Sequence, residues 1–170
     1  MAAGLDRVDR EILRLLREDG RMSHAAIAKK VRLSGPAVHE RVRKLEQRGA
    51  VSGYTAILDP VVLDRSHVAF ALVTLSEGNE FADDEPIVRR ICDEPDVLEF
   101  HRVAGQDCYL VKMRTATNKD LEQLLRRIRS IRGVARTRTT IVLSTEHESP
   151  CIEVPDEKED EVAEVRRISG

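Results

Sequence analysis

Apolar residues in the first fifty positions recur at helical spacing. Val8, Ile12, Leu15 and Leu16 fall at i, i+4, i+7 and i+8, one stripe of an amphipathic helix. Asp6 stands at the N-cap position, and Asp19-Gly20 offers a stop, because Gly permits the left-handed turn that ends helices. Ser23 caps a shorter helix with Ile27, Ala28 and Val31 inward, and Arg32-Leu33 turns the chain. Ser34 caps a third helix that runs to about Arg48 and ends at Gly49. Pro36 sits in its first turn, where a missing N–H costs little, and Val38, Val42 and Leu45 form its core stripe. Helix, short helix, tight turn and longer helix is the helix-turn-helix plan; a plain three-helix bundle shares the pattern.

Residues 61–146 read differently. Val68 to Leu75 is an apolar run of strand length, as expected of a strand buried on both faces. Asp83 or Asp84 starts a helix with Pro86 in its first turn and Ile87, Val88 and Ile91 inward, closed by Glu94-Pro95. Val97–Ala104 and Cys108–Met113 form a hairpin around Gly105-Gln106. Asn118 caps a helix with the stripe Leu121, Leu124, Leu125, Ile128 and Ile131; Gly133 ends it, and Val134–Leu143 is a fourth strand. The order βαββαβ is the ferredoxin-like plan, which by itself specifies no function. Between the halves, Val51–Leu58 alternates enough for a strand, and Asp59-Pro60 turns the chain onward.

The polar face of the third helix is the first candidate site. Opposite its core stripe lie Pro36, Glu40, Arg43 and Gln47, flanked by His39 and Lys44. The N-terminal part of such a helix enters the major groove, so Gly35, Pro36, His39, Glu40 and Arg43 are the base-edge candidates. Arg pairs bidentately with guanine, and His or Glu reads exocyclic groups. Ser23, Ser34 and the open N–H groups beside them suit phosphates, with Arg21 and Lys44 as charge partners. Arg41 lies at the border of the core stripe, within reach of Asp9 or Glu11 on the first helix.

Charge supports a polyanion partner without deciding it. The 170 residues carry a net −2, but residues 1–60 hold 12 basic and 8 acidic side chains, and residues 147–170 hold 3 and 8. The acidic tail, with Asp156–Glu161 as its densest block, reads as a solvated disordered segment, although Val162, Val165 and Ile168 form a weak helical stripe. With 41% hydrophobic residues, wholesale disorder is excluded, and no apolar run reaches the roughly 20 residues of a membrane helix. No hydrophobic signal core follows Met1, so the chain reads as cytoplasmic. Cys92, Cys108 and Cys151 fit reduced thiols, Cys108 as a small buried hydrophobe. The five His stand singly, without metal-ligand spacing, so no metal site is read.

Two other classes find little support. An RNA-recognition sheet needs paired aromatics on its central strands, and the third strand offers only Tyr109. An enzyme needs a nucleophile–base grouping, a phosphate loop or paired carboxylates, and none is legible.

The segments Leu5–Leu13, Asp19-Gly20-Arg21, Leu33-Ser34, Arg41–Glu46 and Gly53-Tyr54 resemble the Lrp/AsnC (feast/famine) transcriptional regulators. The βαββαβ half is similar to that family's ligand-sensing RAM domain, through Gly105-Gln106-Asp107 and the final strand Thr137–Leu143. The resemblance covers roughly residues 5–146. It implies an amino-acid effector held by Gly105, Gln106, Asp107, Thr137 and Thr139, with no other cofactor. It also implies a homodimer through the RAM sheet, assembling to an octamer or larger, with Val51–Leu58 pairing with its dimer mate. Two features depart from the family pattern: where the family often has an aromatic near the Gly–Asp loop, the loop here is Gln106, with Cys108-Tyr109 just after, and the tail extends past the family core.

The expectation is an α+β protein. A winged-type helix-turn-helix three-helix domain spans 1–50, a linker strand and hinge 51–66, a ferredoxin-like RAM domain 67–146, and an acidic tail 147–170. It binds double-stranded DNA as a sequence-specific regulator, its own promoter included, under control of a small molecule. The alternative is an effector-independent architectural, nucleoid-type DNA binder.

Overall fold

The computed structural model describes residues 4–76, 84–105 and 109–155. The chain divides into two compact units: Met1–Ile57 together with the C-terminal segment from Ser149, and Leu58–Glu148.

The first unit is helical. α1 spans Arg7–Glu18, α2 His24–Val31 and α3 Gly35–Gln47. Each starts on the cap the sequence offers. The Asp6 carboxylate accepts the Asp9 N–H at 2.8 Å, Ser23 Oγ that of Ala26 at 3.2 Å, and Ser34 Oγ that of Ala37 at 3.3 Å. Arg32 takes a left-handed conformation, φ 57°, to end α2 and turn into α3. Ile12, Leu15, Ile27, Ala28, Val38, Val42 and Leu45 close the core, and Val8, Leu16 and Val31 pack on its rim.

Residues 51–57 carry no strand pairing within the chain. The strand expected over Val51–Leu58, and any wing built on it, therefore does not form in one copy, because a lone extended segment has no edge to bond. The C-terminal segment is not a free tail up to Pro155. Arg10 Nη1 donates to the Pro155 carbonyl at 2.9 Å, Arg14 Nη2 to that of Val154 at 3.4 Å, and Arg17 pairs with Glu153. Asp156–Glu161 and the stripe Val162, Val165 and Ile168 lie outside the described residues.

The second unit is an antiparallel sheet. β1 spans His67–Leu75, α4 Glu85–Cys92, β2 Val97–Arg102, β3 Tyr109–Thr115, α5 Asn118–Ser130 and β4 Val134–Ile141. The strand order β2-β3-β1-β4 is the expected ferredoxin-like one. On one face Ala69, Ala71, Val73, Val111 and Met113 are buried with Ile87, Ile91, Leu124 and Ile128 of the two helices.

β1 is not buried on both faces: its burial alternates, and Phe70 and Leu72 remain half-buried on the face away from the helices. The two helices cover one side of the sheet; among the described residues the other side is covered only in part, where Glu148 bonds Lys112 and Arg114. The helix starts also differ in detail. Thr117, not Asn118, caps α5, its Oγ1 accepting the Asp120 N–H at 3.1 Å. Asp84 precedes α4 without a side-chain cap bond. Its carboxylate is instead buried, 2% exposed, and accepts the Tyr109 hydroxyl at 2.9 Å.

Candidate DNA-reading face and effector groove

α3 is held by its buried stripe, so its other side is exposed. Pro36, His39, Arg43, Lys44 and Gln47 are exposed, while Gly35 and Glu40 are half-buried. The expected polar face therefore exists, but it is internally paired. Arg43 Nε and Nη2 donate to the Glu40 carboxylate at 3.0 and 2.8 Å, and Lys44 Nζ lies 3.7 Å from it. The Arg43 bond, with the charges of Arg43 and Lys44 behind it, holds the Glu40 carboxyl below its usual range. A bidentate carboxylate thus orients the Arg43 guanidinium.

Ser23 and Ser34 use their oxygens as caps, which leaves the O–H of each to donate outward. Arg21 is exposed beyond α1, and its backbone N–H bonds the Asp19 carboxylate at 2.9 Å.

Arg41 has a structural place. Nη1 lies 2.6 Å from Asp9 and 2.7 Å from Asp6, so one guanidinium ties α3 to the start of α1. Of the two partners weighed from sequence, Asp9 is correct. Glu11 instead lies beside Arg14, and Asp6 takes the second place. The two carboxylates, Asp6 first, push the Arg41 guanidinium further above its ordinary range.

Sequence spacing gave no sign of another contact: the Nδ1 atoms of His24 and His39 are 3.3 Å apart. The residues are 15 positions apart, so only the packing of α2 on α3 brings them together.

Of the effector candidates, the described ones, Gly105, Thr137 and Thr139, lie on the hairpin and on β4, which are not neighbours in the sheet. Gly105 adopts φ +137°, in the region that favours glycine, and a Cβ there would meet open space. Gln106, Asp107 and Cys108 lie outside the described residues. Thr137 and Thr139 are half-buried on β4, and β1 separates β4 from the hairpin strand β3. Two strand spacings put that gap at about 10 Å.

β4 instead lines a groove against α5 of about 500 Å³, walled by Leu121, Leu125, Arg126, Arg129, Thr139 and Ile141. Thr137 Oγ1 accepts from Arg129 Nε at 2.6 Å. Thr139 Oγ1 is buried without a hydrogen-bond partner among the described residues, so it can bond an incoming polar group.

Among the described residues no helix is long and apolar enough to cross a membrane.

Comparison with known proteins agrees with both halves. Residues 5–46 match the AsnC-type helix-turn-helix domain and residues 68–151 the Lrp/AsnC ligand binding domain. The HTH-type transcriptional regulator LrpA of Mycobacterium tuberculosis is 39% identical, over 85% of this chain and 94% of that protein. The leucine-responsive regulatory protein of Escherichia coli is 38% identical, over 82% of this chain and 85% of that protein. Among solved structures, the feast or famine regulatory protein Rv3291c of M. tuberculosis, complexed with L-methionine, is 37% identical with a TM-score of 0.80, covering 89% of this chain and 100% of that one. The helix-turn-helix, the four-stranded sheet with its two helices, and these matches at both ends place the chain in the Lrp/AsnC family of DNA-binding transcriptional regulators, which are not enzymes.

Proposed function

We propose that a dimer of this chain sets two α3 helices into successive major grooves of an operator, and that a free amino acid alters its assembly or its DNA affinity. Arg43 and Glu40 read base edges with Gly35, Pro36 and His39, while Ser23, Ser34, Arg21 and Lys44 hold phosphates. The observation that carries the DNA reading is the exposed α3 face with Arg43 already oriented by Glu40.

The amino acid is held by Gly105, Gln106 and Asp107 together with Thr137 and Thr139. The separation of the hairpin from β4 within one chain favours a site completed by a neighbouring copy. The unpartnered Thr139 hydroxyl and the names of the relatives support an amino acid as ligand. Dimerisation covers the sheet face that leaves Phe70 and Leu72 half-buried, and further assembly gives an octamer or larger ring. Val61 and Val62, 68% and 77% exposed, add apolar surface that a second copy can cover. The protein acts in the cytoplasm, and its own promoter is its first target.

The test is fluorescence-anisotropy binding to the DNA upstream of its own gene and to an equal-length control, with and without pooled amino acids. Specific binding that the pool alters is expected. Arg43→Ala weakens it with the fold intact, and Asp107→Ala removes the response to the pool while DNA binding persists. Equal affinity for both fragments would replace this reading with an architectural DNA binder. Indifference to the pool would remove the effector.

A further inference from the structure

We propose that His24 and His39 form a binding site for one divalent transition-metal ion, Zn²⁺ or its neighbours Co²⁺, Ni²⁺ and Cu²⁺, which clamps α2 onto α3. The geometry of the pair carries the inference. Their Nδ1 atoms face each other at 3.3 Å, and the ring centres are 5.1 Å apart with the planes at 54°. Two imidazoles bound to one tetrahedral ion at about 2.0–2.1 Å place their ligating nitrogens about 3.3 Å apart and their ring centres about 5 Å apart. A direct ring-to-ring hydrogen bond prefers about 2.9–3.0 Å. When both rings carry their proton on Nε2, the two Nδ1 lone pairs converge, and a cation between them removes the repulsion.

The backbone positions are fixed independently of any ion. His24 is the first residue of α2, set by the Ser23 cap, and Ile27 one turn on is 0% exposed. His39 follows Val38, also 0% exposed, in the second turn of α3. The two imidazoles are therefore presented by elements that fold for other reasons, which lowers the ordering cost of binding.

Among the described residues no third His, Cys, Asp or Glu joins them in a group that could hold a metal. The remaining coordination positions go to water or to an oxygen of a bound polyanion, and the site is weaker than a four-ligand structural zinc centre. Imidazole nitrogen selects these borderline ions over Mg²⁺ and Ca²⁺, which prefer all-oxygen shells.

The experiment uses the full-length chain, reduced and free of DNA, titrated calorimetrically with Zn²⁺ in a non-chelating buffer near pH 7.5. A binding event that weakens at least tenfold in His24→Ala, and again in His39→Ala, is expected. Zn²⁺ should also raise the melting temperature of the helical signal in the unaltered chain and not in the variants. His39→Gln, which keeps the side-chain bulk, serves in place of His39→Ala if the latter melts early without metal. Zn²⁺ affinity unchanged in both variants, or no uptake below millimolar Zn²⁺, would overturn the proposal. Because no DNA is present, either failure leaves the DNA reading of α3 untouched.

Discussion

Replacing Arg41 with Met isolates the tie between α3 and the start of α1. The guanidinium bonds two carboxylates of unequal exposure: the Asp6 side chain is 53% exposed and that of Asp9 is 11%. The Asp6 arm is a surface pair, worth about 0.2–1 kcal/mol. The Asp9 arm leaves a mostly buried carboxylate without its cation, a loss of about 1.5–3 kcal/mol. Arg41 is itself one-third exposed, so water recovers part of this, and we expect a net loss of about 2 kcal/mol. For a unit of this size that lowers the melting temperature by about 8–16 °C. Thermal unfolding followed by the far-ultraviolet helical signal reads it, and a double-mutant cycle with Asp9→Asn assigns the coupling. Below the transition, DNA affinity should be unchanged, since Arg41 faces α1. A loss under 0.5 kcal/mol, or weakened DNA binding at full stability, would refute the reasoning.

Other perturbations test other parts of the molecule. Tyr109→Phe removes the hydroxyl donor to the buried Asp84 carboxylate, and denaturant unfolding should show a loss of about 1–3 kcal/mol. Glu40→Gln removes a base-reading carboxylate that also orients Arg43, so anisotropy should show weaker sequence-specific binding; unchanged specificity with tighter binding at low salt would make Glu40 only a restraint on Arg43. The Lys112 ammonium, bonded to Glu99 and Glu148, keeps both carboxyls below their ordinary 4.5. Their folded values are depressed, so their contribution is full above about pH 4.5 and is lost as pH falls through the lower folded values. Unfolding midpoints from pH 7 to pH 3 should fall less steeply for Lys112→Met than for the parent chain in that acid window.

The pattern of residues was a sufficient guide wherever the physics is local. Caps act within three residues and stripes within one helix, so Asp6, Ser23, Ser34 and the stripe Val38-Val42-Leu45 could be read directly. Competition between neighbours was less legible. Thr117 outbids Asn118 for the cap, because its hydroxyl reaches the Asp120 N–H while Asn118 enters the helix. The candidate DNA face was visible as a list of residues. That Glu40 grips Arg43 was not, although i,i+3 spacing permits it.

The sequence by itself determined the two-part order of elements, the caps of the first three helices and the apolar stripes of the helices, since these follow from periodicity and from backbone groups that must bond nearby. Tertiary structure alone decided that Arg41 bridges Asp6 and Asp9, that Asp84 is buried under Tyr109, and that Arg10 and Arg14 bond the carbonyls of Pro155 and Val154. It alone set His24 against His39. Such contacts join residues 15 to 145 positions apart, and no local rule fixes which charged or aromatic side chains meet once helices and strands pack.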